Sequence, residues 1–143
     1  MSEAIAKNLS LLSNLKTPVI VIITGEGGSG GALAIGIGDH VCMLEHSIYA
    51  VASPEACASI VWRDGSKAKD AAEAMKVDAS NLRNLGLVDE VIEEPLGGAH
   101  RDIRGVSNSI SQVIEKKLQT FDEVDISDLL KKRYEKIMSY GSI

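Results

Sequence analysis

The sequence predicts an α/β fold, and two observations support that prediction. The first is an unbroken apolar run at residues 19–24 (VIVIIT), which is typical of a central parallel strand buried on both faces. The second is the order of patterns, because a helical stripe precedes this run and a glycine-rich loop and another helical pattern follow it. With 143 residues, 45% hydrophobic but only 3% aromatic, the chain suits one domain with an aliphatic core.

The first helix is predicted over residues 2–15. Ile5, Leu9, Leu12 and Leu15 recur at spacings of four, three and three residues, which places them on one buried stripe. Pro18 disfavours helical backbone at the residue before it, so the helix is expected to end there.

The middle of the chain alternates short strands and helices. Further strands are predicted at 41–44, 48–52 and 87–92, and helices at 32–38, 53–62, 66–75 and 80–86. Ser53 and Pro54 form a strong helix start, because serine caps free amides and proline has the helical φ. Ser80 is expected to cap the next short helix and Gly86 to close it.

The end of the chain changes character. Two charged amphipathic helices are predicted, at 107–118 and 127–138, without any strand pattern. We therefore predict a division into residues 1–104, an α/β domain, and residues 105–143, a helical tail that packs on the domain or on a partner.

Composition limits the function classes. A net charge of −5 argues against a broad nucleic-acid surface, and the basic runs 116–117 and 131–133 are interpreted as solvated helix faces. No apolar run is long enough for a membrane span and no signal peptide is visible, which predicts a cytoplasmic protein. Cys42 and Cys57 match no zinc pattern and are interpreted as buried thiols, so no metal is expected.

The glycine-rich loop at residues 25–31 (GEGGSGG) fits two short motifs. Read from Gly25, it matches the dinucleotide fingerprint, with Glu45 at the distance of a ribose-binding acid; the following helical segment is short for that fold. Read from Gly27, it matches a nucleophile elbow with Ser29 as nucleophile and His100 as base, although the chain is short for an α/β-hydrolase.

A third interpretation needs no catalytic side chain. Amides in the first turn of a helix lack partners within the helix, and the helix dipole is positive there. Glycine at such positions lets a planar group approach the backbone, which makes an oxyanion hole. His40 and His46 are interpreted as surface or loop histidines, and His100 with Arg101 as a tie between the last strand and the helical tail.

Five blocks of the sequence carry a family resemblance. They are TPVIVIITGEGGSGGALAIGIGD, SPEACASIVW, AAEAMKV, EPLGGAHRD and RYEKIMSYG. In this order they closely resemble the carboxyltransferase alpha subunit of multi-subunit acetyl-CoA carboxylase. The resemblance implies the crotonase (ClpP-like) fold, a superhelix of ββα units, here partial and followed by the helical tail.

The resemblance also implies an activity and its participants. The enzyme moves a carboxyl group from carboxybiotin, carried on a separate biotin carboxyl carrier protein, to acetyl-CoA, giving malonyl-CoA for fatty-acid synthesis. The site lies between alpha and beta subunits, and the family's zinc belongs to the beta subunit. The location implied is the bacterial cytoplasm or the plastid stroma.

The family's site maps onto the glycine-rich loop. The resemblance places the catalytic amides, which face the biotin carbonyl oxygen, on Gly30 and Gly31, with Gly27 and Gly28 shaping the turn of the same cofactor-binding loop. The chain resembles the family only from its middle onward, so we do not expect activity from this chain alone. An interaction module that only docks on the beta subunit, or a dinucleotide-binding domain, stays open as an alternative.

An oligomer is also expected. A partial superhelix leaves the edge of strand 19–24 and the apolar face of Ile5, Leu9 and Leu12 poorly covered, and exposed edges and apolar patches promote association. Leu129, Leu130, Ile137 and Met138 are predicted to add a second apolar surface.

Overall fold

The computed structural model describes residues 2–141, apart from the side chains of residues 2 and 35. The helices are α1 Ser2–Ser13, α2 Ser29–Ile35, α3 Pro54–Trp62, α4 Ala68–Met75, α5 Ala79–Asn84, α6 Ile103–Asp122 and α7 Ile126–Ser139. The strands are β1 Ile20–Ile23, β2 Glu26–Gly28, β3 His40–Leu44, β4 Ile48–Ala50 and β5 Glu90–Ile92, and 3-10 turns occur at Gly65–Lys67 and Ala99–Arg101. The mixed order confirms the predicted α/β class.

The larger sheet has three parallel strands in the order β1-β3-β5. All five residues of β3 are buried, whereas in β1 only Ile23 is fully buried. The prediction that residues 19–24 form the central strand is therefore wrong, since β3 has strands on both sides and β1 lies at an edge. Apolar content alone does not distinguish the two positions.

The smaller sheet pairs β2 with β4 in parallel, with Gly27 opposite Tyr49. Successive strands thus alternate between the two sheets, and β1-β2-α2 and β3-β4-α3 are two consecutive ββα units. The prediction that residues 25–31 form a loop is wrong. Residues 26–28 are extended because Ile48 and its neighbours on β4 supply a hydrogen-bonding edge, and the helix begins at Ser29.

Three of the α-helices start at an acidic cap, and α3 starts at a serine cap. The Ser53 hydroxyl accepts from the amide of Ala56, as predicted for α3. For α5 the cap is Asp78 and not Ser80, since the Asp78 carboxylate accepts from the amide of Asn81 and from two side chains. These hydrogen bonds hold the pKa of Asp78 well below its usual range. Asp102 and Asp125 cap α6 and α7, so both tail helices start before the predicted residues.

The core occupies both faces of the three-stranded sheet, because alternate residues of β3 point to opposite sides. One face packs α5 and the segment that follows it through Ile23, Val41, Met43, Ala79, Leu82 and Val88. The other face packs α6 through Cys42, Leu44, Ile92 and Val106, with Ile110 and Val113 against them. The first part of the tail therefore covers the sheet, while the division at residue 104 stays a prediction.

Helix α7 is held by a buried cation. Arg133, which the sequence placed on a solvated face, is 2% exposed and bonds Asp39 and the chain that follows α1. Leu129 is also buried, so it does not belong to the predicted apolar surface, although Met138 is 60% exposed. Among the helices of residues 2–141, none combines the length and apolarity that a bilayer crossing requires.

Candidate functional site

The candidate site is the junction between β2 and α2. Gly28 at the N-cap is extended, with φ −141° and ψ 157°, and the chain enters the helix at the next residue. Ser29 has φ +51°, a left-handed conformation that L-residues seldom adopt. Ser29 is thus the residue of this turn with a positive φ, although the residues on either side of it are glycines.

Two adjacent backbone amides at this junction are free. Gly30 and Gly31 lie in the first turn of α2, where no carbonyl of the helix can accept from them. Gly28 offers no side-chain cap, and no hydrogen bond to either amide is found within residues 2–141. The positive end of the helix dipole adds to their ability to bind an oxygen that carries negative charge.

The space beside these two glycines is open. A Cβ added to Gly30 or to Gly31 would meet nothing within 4 Å, and neither residue has a positive φ. The fold of the chain therefore does not require glycine at these two positions. By contrast, Gly38 is required, since a Cβ there would lie 2.7 Å from a Val21 methyl group.

Three cavities touch the turn, and the two larger ones flank it. One, of about 450 Å³, separates the turn from α1 and is lined by Ile5, Asn8, Leu9, Leu12, residues 28–31 and Ala34. The other, of about 430 Å³, lies towards α4 and is lined mainly by residues 26–29, Ile48, Ala50, Ala52, Pro54, Met75 and Val77. Both walls are largely apolar, so a ligand here would exchange hydrogen bonds mainly with backbone.

Tyr49 fixes the position of α2. Its hydroxyl donates to the carbonyl of Ala32 at 2.7 Å, one residue beyond Gly31. Burial raises the pKa of the Tyr49 phenol, which keeps it protonated and able to donate. Gly36 permits this approach, because a Cβ there would lie 3.1 Å from the phenol oxygen. The only local signal for this contact is a tyrosine in an apolar strand.

The structure brings the four predicted glycines into one turn. Gly27 lies buried in β2, Gly28 is the N-cap, and Gly30 and Gly31 follow in the helix. Their role in binding stays a prediction. No hydrogen bond among residues 2–141 joins the other proposed pair, Ser29 and His100, and the His100 side chain lies against Gly98.

His40 lies elsewhere and differs from the expectation. It is 8% exposed, so its assignment to the surface is wrong, whereas His46 is exposed as predicted. The His40 ring lies beside the side chains of Cys42 and Glu90. The potential ligand atoms of these three side chains lie close enough together to bind one metal ion. Burial lowers the pKa of His40 and raises that of Cys42 to about 11. Cys57, by contrast, is only half-buried.

Close relatives share the sequence over almost its whole length. The alpha subunit of the acetyl-coenzyme A carboxylase carboxyl transferase of Vibrio cholerae is 56% identical over 140 residues. The subunits of the same name from Azotobacter vinelandii and Photobacterium profundum are 56% and 54% identical. Each alignment covers 98% of this chain but 44% of the relative, so the chain spans less than half of their length.

Solved structures show the same fold at low sequence identity. A chain of a Pseudomonas malonate decarboxylase hetero-tetramer in complex with coenzyme A superposes with a TM-score of 0.62 at 17% identity, over 92% of this chain and 52% of that one. An enoyl-CoA hydratase/isomerase from Marinobacter aquaeolei gives 0.58 at 17% identity, over 99% and 52%. These neighbours have the crotonase fold, which confirms the predicted ββα superhelix.

The family assignment rests on nearly all of the chain. The family model described as acetyl co-enzyme A carboxylase carboxyltransferase-like matches residues 1–141. Together with the relatives and the alternating ββα units, this match shows that the chain belongs to the acetyl-CoA carboxylase carboxyltransferase-like family.

Proposed function

We propose that this chain supplies the alpha-subunit part of a carboxyltransferase that moves a carboxyl group from carboxybiotin to acetyl-CoA and yields malonyl-CoA. The proposal rests on the family and on one structural observation. Two neighbouring amides, those of Gly30 and Gly31, are unpartnered and uncovered at the start of a helix. Such a pair of donors suits an oxygen on which negative charge develops during reaction.

The geometry fits the biotin ring. Its ureido carbonyl oxygen is a planar acceptor, and the absence of a Cβ at both positions lets it reach the two amides. When bound, carboxybiotin supplies the activated carboxyl group. This chain's part is to bind the carbonyl oxygen through Gly30 and Gly31 and to hold the ring against the apolar wall formed by Leu9 and Leu12.

The remaining participants belong to the same proposal. A beta-type subunit would complete the site and provide the amides for the thioester enolate, and a biotin carboxyl carrier protein would deliver the cofactor. An oligomer containing both subunits would carry out the first committed step of fatty-acid synthesis. The bacterial relatives favour a bacterial cytoplasmic enzyme.

The test is a matched pair of glycine substitutions. The chain is mixed with a beta-type subunit, and turnover of malonyl-CoA with free biotin as carboxyl acceptor is measured. Gly31→Val adds a branched side chain to the turn that carries the two amides, and we expect turnover to fall by a factor on the order of 10², as for loss of an oxyanion donor. Gly25→Val is the control, because a side chain there also meets nothing within 4 Å but lies outside the helix turn.

The outcomes separate the alternatives. Activity in the wild type and in Gly25→Val, with loss in Gly31→Val and unchanged co-elution with the beta subunit, would support the proposal. Equal activity in both variants would show that the amides of Gly30 and Gly31 do not take part in the reaction. If the wild type binds the beta subunit but shows no turnover, the chain is instead an interaction module. Measurable binding of NAD would favour a dinucleotide-binding domain.

A further inference from the structure

Three potential ligands meet on the α6 side of the larger sheet. His40 and Cys42 are two positions apart on β3, so their side chains lie on the same face of the sheet. Glu90 on β5 is the register partner of Cys42. The imidazole Nε2 lies 3.1 Å from the Glu90 Oε2. One ligand atom from each of the three residues lies within 4.8 Å of the other two.

We infer that His40, Cys42 and Glu90 form a site for a divalent transition-metal ion of the zinc or cobalt type. A nitrogen, a sulfur and an oxygen ligand are the set that zinc accepts, and in a tetrahedral site such atoms lie ~3.4–3.7 Å apart. The ligand atoms here lie within 4.8 Å of one another, so the side chains must close by up to about 1 Å to reach that spacing. A water molecule would complete four-coordination.

Metal binding requires a neutral imidazole and a thiolate, and the two ligands start from different protonation states. Burial lowers the pKa of His40 against the opposing effect of the Glu90 hydrogen bond, and the neutral imidazole is the form that binds a metal. The Cys42 thiol has a pKa of about 11 and is protonated at neutral pH. Binding therefore breaks the S–H bond, forms the metal–sulfur bond and releases one proton to solvent.

The surrounding charges also fit. The Asp89 Oδ2 lies 3.7 Å from the other imidazole nitrogen, Nδ1, which is beyond hydrogen-bond distance, and it accepts from the amide of Val41 at 2.7 Å. A small movement would let this carboxylate orient a metal-bound histidine. Lys136 is already paired with Asp89, and Lys117 is the other cation that acts on the His40 pKa. Once the thiolate has formed, the site has three negative charges, on Asp89, Glu90 and Cys42, and two positive charges, on the two lysines. A net charge of −1 is therefore available to attract the metal ion.

The site is separate from the glycine turn, because none of the three residues lines either cavity beside it. Its expected effect is on stability: an ion held by both β3 and β5 links two strands of the sheet. Binding to the folded chain alone raises the free energy of unfolding as the free metal concentration rises. The inference does not depend on the proposed enzymatic function.

The experiment is a Co²⁺ titration of the reduced, metal-free full chain. We expect one Co²⁺ per chain, a near-ultraviolet thiolate-to-cobalt charge-transfer band and release of about one proton per ion. Zn²⁺ should displace the Co²⁺, abolish the band and raise the midpoint of thermal unfolding. A titration without a thiolate band would overturn the inference.

Variants identify the ligands. Cys42→Ser should lose the band, while Cys57→Ser, which changes the other cysteine of the chain, should keep it. Glu90→Gln keeps the side-chain volume and should weaken binding by about tenfold or more, and Asp89→Asn by about 10–100-fold. A band that persists in Cys42→Ser, or an affinity unchanged in Glu90→Gln, would contradict the assignment. If Cys42→Ser does not fold, Glu90→Gln alone decides.

Discussion

Replacement of Arg133 by methionine should destabilise the chain strongly. The guanidinium donates six hydrogen bonds, two of them to the Asp39 carboxylate at 2.7 and 2.8 Å and the others to the carbonyls of Leu12, Ser13, Leu15 and Thr17. The two side chains are 1% and 4% exposed. The arginine thus joins α7 to the end of α1 and to the residue before β3.

The magnitude follows from burial. Methionine fills much of the volume of Arg133 but leaves the Asp39 carboxylate without its cation, and breaking a buried pair in this way costs about 3–5 kcal/mol. The amide of Val19 still donates to Asp39 at 2.7 Å, so part of its solvation remains. Since whole domains are stable by about 5–15 kcal/mol, the loss is a large part of the total.

The assay is urea unfolding followed by far-ultraviolet circular dichroism and by the fluorescence of Trp62, the single tryptophan. Lys131→Met is the control on the same helix, because Lys131 is 72% exposed and its ion pair with Glu135 spans 3.9 Å; we expect a change of less than about 1 kcal/mol. Asp39→Asn added to Arg133→Met removes the buried charge and should restore part of the loss. A loss below about 1 kcal/mol in Arg133→Met, or no recovery in the double variant, would refute the reasoning.

Three further predictions concern individual side chains. Tyr49→Phe removes a made hydrogen bond and should lower the free energy of unfolding by about 1 kcal/mol, whereas Tyr140→Phe, whose buried hydroxyl has no partner within residues 2–141, should be neutral or stabilising in the same urea titration. Ser29→Gly relieves a positive φ and should stabilise the chain by about 1 kcal/mol, while Ser29→Ala, which keeps the strain, should not; equal stability of the two would contradict this. Cys42, with its pKa of about 11 and no exposure, should react with a disulfide reagent only on unfolding, and the half-buried Cys57 should react first, as peptide mapping of the labelled chain would show.

Local signals predicted the elements well where one residue type decides the conformation. Ser53 and Pro54 fixed the start of α3 because capping and a preset φ act within one turn of the chain. The prediction of Ser80 as the cap of α5 failed because Asp78, two residues earlier, can cap a helix equally well. The Asp78 carboxylate accepts from the free amide of Asn81, and the Ser80 hydroxyl donates to the same carboxylate.

The glycine turn shows a different limit. Its free amides could be predicted, since glycines before an apolar helical pattern indicate a bare helix start. The strand at Glu26–Gly28 could not, because glycine has low strand propensity and the strand exists only through its pairing with β4. The same pairing brings Tyr49 opposite Gly27, and from there its hydroxyl reaches α2. The amide donors of the site are therefore set by the local sequence, whereas the strand pairing and the Tyr49 contact that hold them in place come from distant residues.

Contacts between distant residues escaped prediction for a physical reason. In the sequence, Arg133 ends a basic run within a charged helix, a pattern that describes solvated surfaces far more often than buried ion pairs. What buries it is the acceptor set on the other side, Asp39 and four carbonyls at the end of α1 and in the segment after it, more than 90 residues earlier in the chain. Nothing near Arg133 distinguishes it from Lys132. Only the fold, by placing α7 across the end of α1, selects which of the two cations is desolvated, and for that reason the substitution of Arg133 tests the packing of the tail itself.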